Sequence, residues 1–296
     1  MRKWTTHAGA SRPMNIAQLL NGLALGSLLM ILSSGLAMIY GLRGVMNFAH
    51  GALYMSGAYL AYTVTNHVSF WAALIVCPLA LAVIGAVLEL VFFRHLQTRS
   101  HIEVGLITFG LALIIERIIG IIWGPHTLPV PAPDVLNGTS NVFGTAYPTY
   151  RLFILAIAVV MAAALVFWLR VSDTGLHIRA ASQDGETSAI LGINVDRVSL
   201  TVVCLGAALA GLAGTLAAPY FSVQPGMGMA ILINVLIVVV VGGVGSLGGA
   251  MAAGMALGIV QTVGAVWLPN LAALLPYIAL VAVLAWRPTG FAGKRV

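Results

Sequence analysis

Side chains able to do chemistry are sparse in this 296-residue sequence, and most occupy places where polar groups are costly. Asn47, Phe48, His50 and Gly51 share the short run NFAHG at the start of an apolar segment. An Asn and a His at an interrupted helix start would offer free backbone N–H groups and polar side chains inside a bundle. Transporters pass zwitterionic solutes at such broken ends. The same residue types also bond packed helices to one another, and the sequence leaves both readings open. A second place of this kind is GGVGSLGG, where Gly242, Gly243, Gly245 and Ser246 lead into Gly248 and Gly249. Small residues there suit close helix packing, with a few free to act as hinges. Glu116 and Arg117 fall inside another apolar run, and an ionisable residue at membrane depth is a functional candidate by default. Neighbours along a helix point apart, so these two are no simple pair, and Arg117 has the length to snorkel to a surface.

Other chemistries lack their parts. Ser246 and the distant His50 make no nucleophile and base constellation, which argues against an intramembrane enzyme. Cys77 and Cys204 lie within apolar runs and read as small buried hydrophobes, not as a disulfide or metal pair. No G-x-x-x-x-G-K-[ST] occurs, since Gly293-Lys294 lacks both the first Gly and the hydroxyl residue. ATP hydrolysis is therefore expected of a separate polypeptide, and no cofactor or metal is expected in this chain.

The elements that must position these groups are apolar helices. Hydrophobic residues make up 60% of the chain and charged residues 7%, against roughly a quarter charged in a soluble domain. A spanning helix needs about 20 apolar residues, and runs of that length recur. The sequence predicts an all-α integral membrane protein, a polytopic bundle of eight or nine segments in one transmembrane domain over 1–296. The expected segments are 15–40, 46–66, 71–93, 103–124, 151–171, 199–219, 230–247, 249–268 and 274–287. Two of them, 46–66 and the stretch 230–249, are rich in Gly, Asn and small residues and read as broken or re-entrant helices. A long apolar helix precedes each, which hints at an inverted repeat. The basic start (Arg2, Lys3, Arg12) precedes a run too long for a signal-peptide core, read as a retained helix. The net charge of +6 is spread over segment ends and points to no nucleic acid.

Basic residues near segment ends set orientation. Arg94 and Arg99, then Arg170, Arg179 and Arg197, then Arg287, Lys294 and Arg295 fall on one side, expected to be cytoplasmic. The Pro-rich loop 125–150 falls on the other. Nine crossings would leave Arg2, Lys3 and Arg12 outside, against the rule, whereas a re-entrant early segment would bring them in.

One cytoplasmic loop stands out. Residues 173–198 hold four of the eight acidic residues, whereas Val198 to Trp286 holds no charged residue. Leu176, Ile178, Ala180, Ala181, Ala189, Ile190 and Leu191 alternate with polar residues as in one or two short amphipathic helices. Gly185 and Gly192 punctuate them, and Gly192 suits a C-terminal cap. A loop of this length is either a solvated connector or a docking surface.

Three stretches together resemble one family. GLRGVMNFAHGALYMSGAYLAY (41–62), RAASQDGETSAILGINVDRV (179–198) and VVVGGVGSLGGAMAAGMALG (239–258) are similar, in order, to segments of branched-chain amino-acid ABC transporter permeases. The resemblance implies a bacterial inner-membrane permease subunit, with a cytoplasmic coupling loop and C-terminus. It implies as partners a second homologous permease, two ATP-binding subunits that hold ATP and Mg, and a solute-binding protein. Arg179, Ala180, Ala181, Gln183, Asp184, Gly185, Glu186, Gly192 and Ile193 would form the ATPase-coupling surface. Asn47, Phe48, His50, Gly51, Gly242, Gly243, Gly245 and Ser246 are the candidates for the pathway. The wider ABC-permease pattern of Glu-Ala-Ala, three residues, Gly reads here Arg179-Ala180-Ala181 to Gly185, so the usual acidic first position is a cation. Similar permeases serve leucine, isoleucine and valine, or urea, amides and aromatic acids. A secondary transporter or channel would more often carry mid-span acids for ion coupling.

Overall fold

The computed structural model describes residues 16–96 and 99–293, so Arg2, Lys3, Arg12, Lys294 and Arg295 lie outside the described residues. The chain is a helix bundle whose helices match the apolar runs closely. They are α1 (Ile16–Arg43), α2 (Ala49–His67), α3 (Phe70–Val91), α4 (His101–Trp123) and α5 (Thr149–Val171). Two short helices follow, α6 (Asp173–Ala181) and α7 (Gly185–Ile190). The chain then forms α8 (Val195–Phe221), α9 (Met227–Gly242), α10 (Leu247–Trp267) and α11 (Leu275–Trp286). Between α4 and α5 a small hairpin forms from β1 (Thr139–Val142) and β2 (Thr145–Pro148), in register Thr139↔Pro148 to Val142↔Thr145. Its turn is Phe143–Gly144, with φ of 50° and 80°, the paired left-handed geometry that matches the twist of a tight hairpin.

Among the described residues seven helical stretches are long and apolar enough to cross a membrane: α1, α3, α4, α5, α8, α10 and the run Pro269–Trp286 that contains α11. The helix α9 is shorter, at 16 residues, and α2 is 19 residues with more polar and small side chains. Both are continuous helices. The clustered glycines expected to interrupt a helix instead form the turn between α9 and α10.

Burial sorts the helices into a centre and a wall. α1 and α8 are mostly buried, whereas α3, α4 and α5 turn large apolar side chains outward, among them Ile75, Val83, Ile102, Ile121, Val160 and Phe167. An apolar wall of this kind is stable only in lipid. α1 runs the length of α10, and α3 runs along α8. Glycine makes the first contact possible: a Cβ at Gly258 would stand 2.2 Å from the Gly26 nitrogen. Without water to squeeze apolar surfaces together, van der Waals contact between close backbones supplies the attraction.

The contacts also show which ends lie together. Arg43, Phe93 and Ser199 meet at one end, where α6 and α7 lie, called here the loop end. Asn21 and Tyr147 meet at the other, the hairpin end, where Leu128 also pairs with Val223.

Candidate coupling surface and polar interior

The loop between α5 and α8 is built by side-chain caps. Ser172 accepts from the Gly175 amide at 2.9 Å, Asp184 from Thr187 at 3.0 Å, and Asn194 from Arg197 at 3.0 Å. Each cap satisfies an amide that the first turn leaves free, so three helices start at fixed points within about two dozen residues. The Thr187 hydroxyl and amide hold the exposed Asp184 carboxyl below its usual range. Gly192, with φ +90°, ends α7 in the left-handed conformation that glycine adopts without strain. One side of the loop is anchored: Ile178 and Ala181 are buried, and a Cβ at Gly175 would strike the Leu169 carbonyl.

The outward side carries most of the expected contact residues. Arg179, Gln183, Asp184, Glu186 and Gly192 are exposed, Ala180, Gly185 and Ile193 are half-buried, and Ala181 turns into the bundle. Gly185 has open space around it. Beside them Ile190 and Leu191 are 81% and 76% exposed, large apolar side chains in a polar loop that no described residue covers. Arg179, Ser182 and Gln183 also line a cleft of about 540 Å³ with Gly41, Gly44, Gly245 and Ser246. Parts of all three stretches that carried the family resemblance thus meet at one place.

Gly242 and Gly249 sit back to back, where a Cβ on Gly249 would fall 2.0 Å from the Gly242 carbonyl oxygen. Gly243 and Gly245 have φ of 103° and 79°, and Ser246 caps α10 by accepting from Gly249 at 3.1 Å. The tail closes over this turn, with Phe291 N–H donating to Val241 O at 2.9 Å and Ala292 N–H to Gly242 O at 3.0 Å.

The other group of pathway candidates is buried. Asn47 accepts from the Ala49 amide at 3.0 Å and so starts α2. Phe48 N–H donates to Thr108 at 3.2 Å, and its ring stands edge-on to Phe109. His50 is fully enclosed and its Nε2–H donates to the Leu32 carbonyl at 3.0 Å, joining α2 to α1. Gly51 lies against Gly228 so closely that a Cβ would come within 2.3 Å of its oxygen. Glu116 is half-buried near Gly226 and Gly228, and Arg117 is exposed.

Sequence reasoning missed the strongest polar centre. The Arg43 guanidinium bonds the Glu89 carboxylate, Ser199 Oγ at 2.7 Å and the Phe93 carbonyl at 3.0 Å. Ser199 in turn donates to Glu89 at 3.0 Å, so α1, α3 and α8 are tied at the loop end. Arg94 and Asp196 add an exposed pair at 2.7 Å. A signal was present: Arg43 and Glu89 are the only Arg, Lys, Asp or Glu residues from 16 to 93.

A many-helix bundle with an apolar wall, a buried polar interior and a capped loop bearing uncovered apolar side chains belongs to the class of polytopic helical membrane proteins. The chain belongs to the family described as "Branched-chain amino acid transport system / permease component", which matches residues 18–284. It is 27% identical to the high-affinity branched-chain amino acid transport system permease protein LivH of Salmonella typhimurium, covering 94% of this chain and 96% of that one. It is equally similar, with the same coverage, to the corresponding permease protein BraD of Pseudomonas aeruginosa. It is 30% identical to the permease protein LivM of Salmonella typhimurium, over 73% of this chain and 56% of LivM. No solved structure matches the chain. The protein is a transport permease and not an enzyme.

Proposed function

We propose that this chain is the permease subunit of an ATP-driven importer, moving leucine, isoleucine, valine or a close relative delivered by a solute-binding protein. Full-length similarity to permease proteins of high-affinity branched-chain amino acid systems carries the reading of the cargo. Similarity to both LivH and LivM supports pairing with a second, homologous permease. The loop end faces the cytoplasm, as does the C-terminus, and two ATP-binding subunits dock there. Support for the docking surface comes from Ile190 and Leu191, apolar groups exposed on a loop held rigid by three caps. A cleft on the motor that covers them gains apolar burial, and Arg179, Gln183 and Glu186 fix register at the rim.

The chain crosses the membrane nine times on this reading, with α2 and α9 as the short members of an inverted repeat. α1, α2 and α3 correspond to α8, α9 and α10. Reciprocal contacts support it: Gly35 faces the Gly206 carbonyl and Gly206 that of Gly35, and Gly51 and Gly228 oppose each other in the same way. α1 along α10 likewise mirrors α8 along α3. His50 acts as a tie between helices of the first repeat, supported by its enclosed bond to Leu32.

The test is reconstitution of the permease pair, ATPases and binding protein in vesicles, with ATP-dependent uptake of labelled leucine as readout. Wild-type uptake is expected. Gly185→Arg, at a position where an added Cβ meets no described atom within 4 Å, is expected to insert normally yet to lose stimulated ATP hydrolysis and uptake. A hot-spot loss of about 2 kcal/mol weakens docking about thirtyfold. Thr139→Ala, in the hairpin, is expected to leave both intact. Full uptake by Gly185→Arg at wild-type protein level defeats the docking role.

A further inference from the structure

Near the hairpin end, α2, α9 and the C-terminal end of α8 line a partly open cavity of about 200 Å³, many times the ~10–15 Å³ that one water requires. Its lining divides by chemistry. Tyr54, Gln224 and Asn234 present hydroxyl and carboxamide groups, and Phe221, Met227 and Ile231 present an apolar surface. Among the described residues none that lines it is charged.

Tyr54 is the informative residue. It is 2% exposed, yet among the described residues no group bonds its hydroxyl. Tyr150 donates to the Leu216 carbonyl at 2.8 Å and Tyr147 to Asn21 at 3.0 Å, whereas the hydroxyl of Tyr59 also lacks a described partner but is sealed among its neighbours. The Tyr54 hydroxyl is not sealed within the bundle but opens into the cavity, where it is free to bond a polar occupant. Asn234 faces the same space. Its Oδ1 accepts from Gln261 on α10 at 2.9 Å, and its Nδ2 donates to Ala230 O at a long 3.3 Å. The carboxamide is thus oriented by α10 while keeping bonding capacity of its own. Both side chains lie on helices of an apolar bundle, where polar groups face the bundle interior or a water-filled cavity.

We propose that this cavity is a transient binding site for a small net-neutral zwitterion with an apolar side chain, occupied after release from the binding protein. The Tyr54 hydroxyl, the Asn234 carboxamide and Gln224 take the ammonium and carboxylate, and Phe221, Met227 and Ile231 take the branched alkyl group. The absence of charge in the lining disfavours solutes with net charge, which would enter without a counter-charge. The inference rests on the permease reading above.

The experiment uses the complete reconstituted transporter and labelled leucine and valine. Tyr54→Phe removes one oxygen and keeps the shape of the ring. It is expected to lower maximal leucine uptake at least tenfold while ATP hydrolysis stimulated by loaded binding protein stays at the wild-type level. That split separates cargo contact from misfolding, which lowers both. Ile231→Phe narrows the apolar side and is expected to raise the valine-to-leucine uptake ratio about tenfold, the scale on which one methylene is discriminated. Wild-type leucine uptake in Tyr54→Phe, or an unchanged ratio in Ile231→Phe, overturns the site and leaves the permease reading intact. Failure of the wild-type complex to move any branched-chain amino acid overturns the permease reading itself.

Discussion

The two ends of α1 are held by the same kind of cation in different ways. At the loop end Arg43 meets a carboxylate on a residue that is 2% exposed, together with a hydroxyl and a carbonyl. At the hairpin end Arg151 meets only the neutral amide oxygen of Asn21, shared with Tyr147, and lies over the Tyr220 ring at 5.0 Å. The Coulomb attraction of a charge pair at about 4 Å is about 4 kcal/mol at an effective dielectric of 20, much of it offset by desolvation, whereas an Arg over an aromatic ring is worth about 0.5–2 kcal/mol. The ion pair is also unforgiving, since loss of one member strands the other in the bundle. The loop end is therefore a lock and the hairpin end a softer clasp. On the proposed reading this suits the work, with a stiff joint beside the motor and a more yielding end where cargo enters.

The largest effect is expected from breaking the lock. Glu89→Leu leaves Arg43 without its counter-charge and should cost about 3–5 kcal/mol, read as a lower melting temperature in detergent. Adding Arg43→Met should recover most of the loss, because two apolar groups replace a buried pair nearly neutrally. Equal melting of the single and double variants would show that the charges are not what holds this end. At the clasp, Asn21→Leu removes one shared acceptor, and about 1–3 kcal/mol is expected. A loss as large as that of Glu89→Leu would erase the contrast.

Two smaller effects sharpen it at the surfaces. Phe143 is 85% exposed at φ 50°, a conformation that costs most L-residues about 1–2 kcal/mol and Asn less. Phe143→Asn should slow proteolytic cleavage of the hairpin by a few-fold and leave melting of the bundle unchanged. The smallest change concerns the cap of α7. Asp184 has a folded pKa below its usual value, so its contribution is complete above the ordinary carboxylate range of about 4. That contribution fades as pH falls through the lower folded value. Cleavage within 182–192 should accelerate only in that acid window, and Asp184→Asn should flatten the response.

Much of the fold was legible because lipid imposes a simple requirement on a helix: about 20 apolar residues in a row. Each expected segment has a helical counterpart, and α6 and α7 appear where alternating apolar and polar residues foretold short helices. Gly192 was readable as a cap for the same reason, whereas the N-terminal caps Ser172, Asp184 and Asn194 obey local rules but were not picked out. The hairpin was not foreseen, since its four-residue strands lie in a Pro-rich loop with only Gly144 as a turn signal. The Arg43–Glu89 pair also escaped notice. Its members stand 46 residues apart, and each, seen alone, looks like a charge at the end of a span.

The sequence by itself determined that this chain lives in a membrane, where its helices begin and end, and which loop is polar, because those properties follow from hydropathy and local hydrogen bonding. Only the tertiary structure decided which faces meet. A helix that is apolar all round carries no stripe to say which side is lipid and which is protein, so the partners of Gly26, Gly51 and Gly206 could not be read from spacing. The opening of Tyr54 and Asn234 into one cavity has the same cause. It depends on how closely backbones approach, and that is settled by the packing of several helices at once.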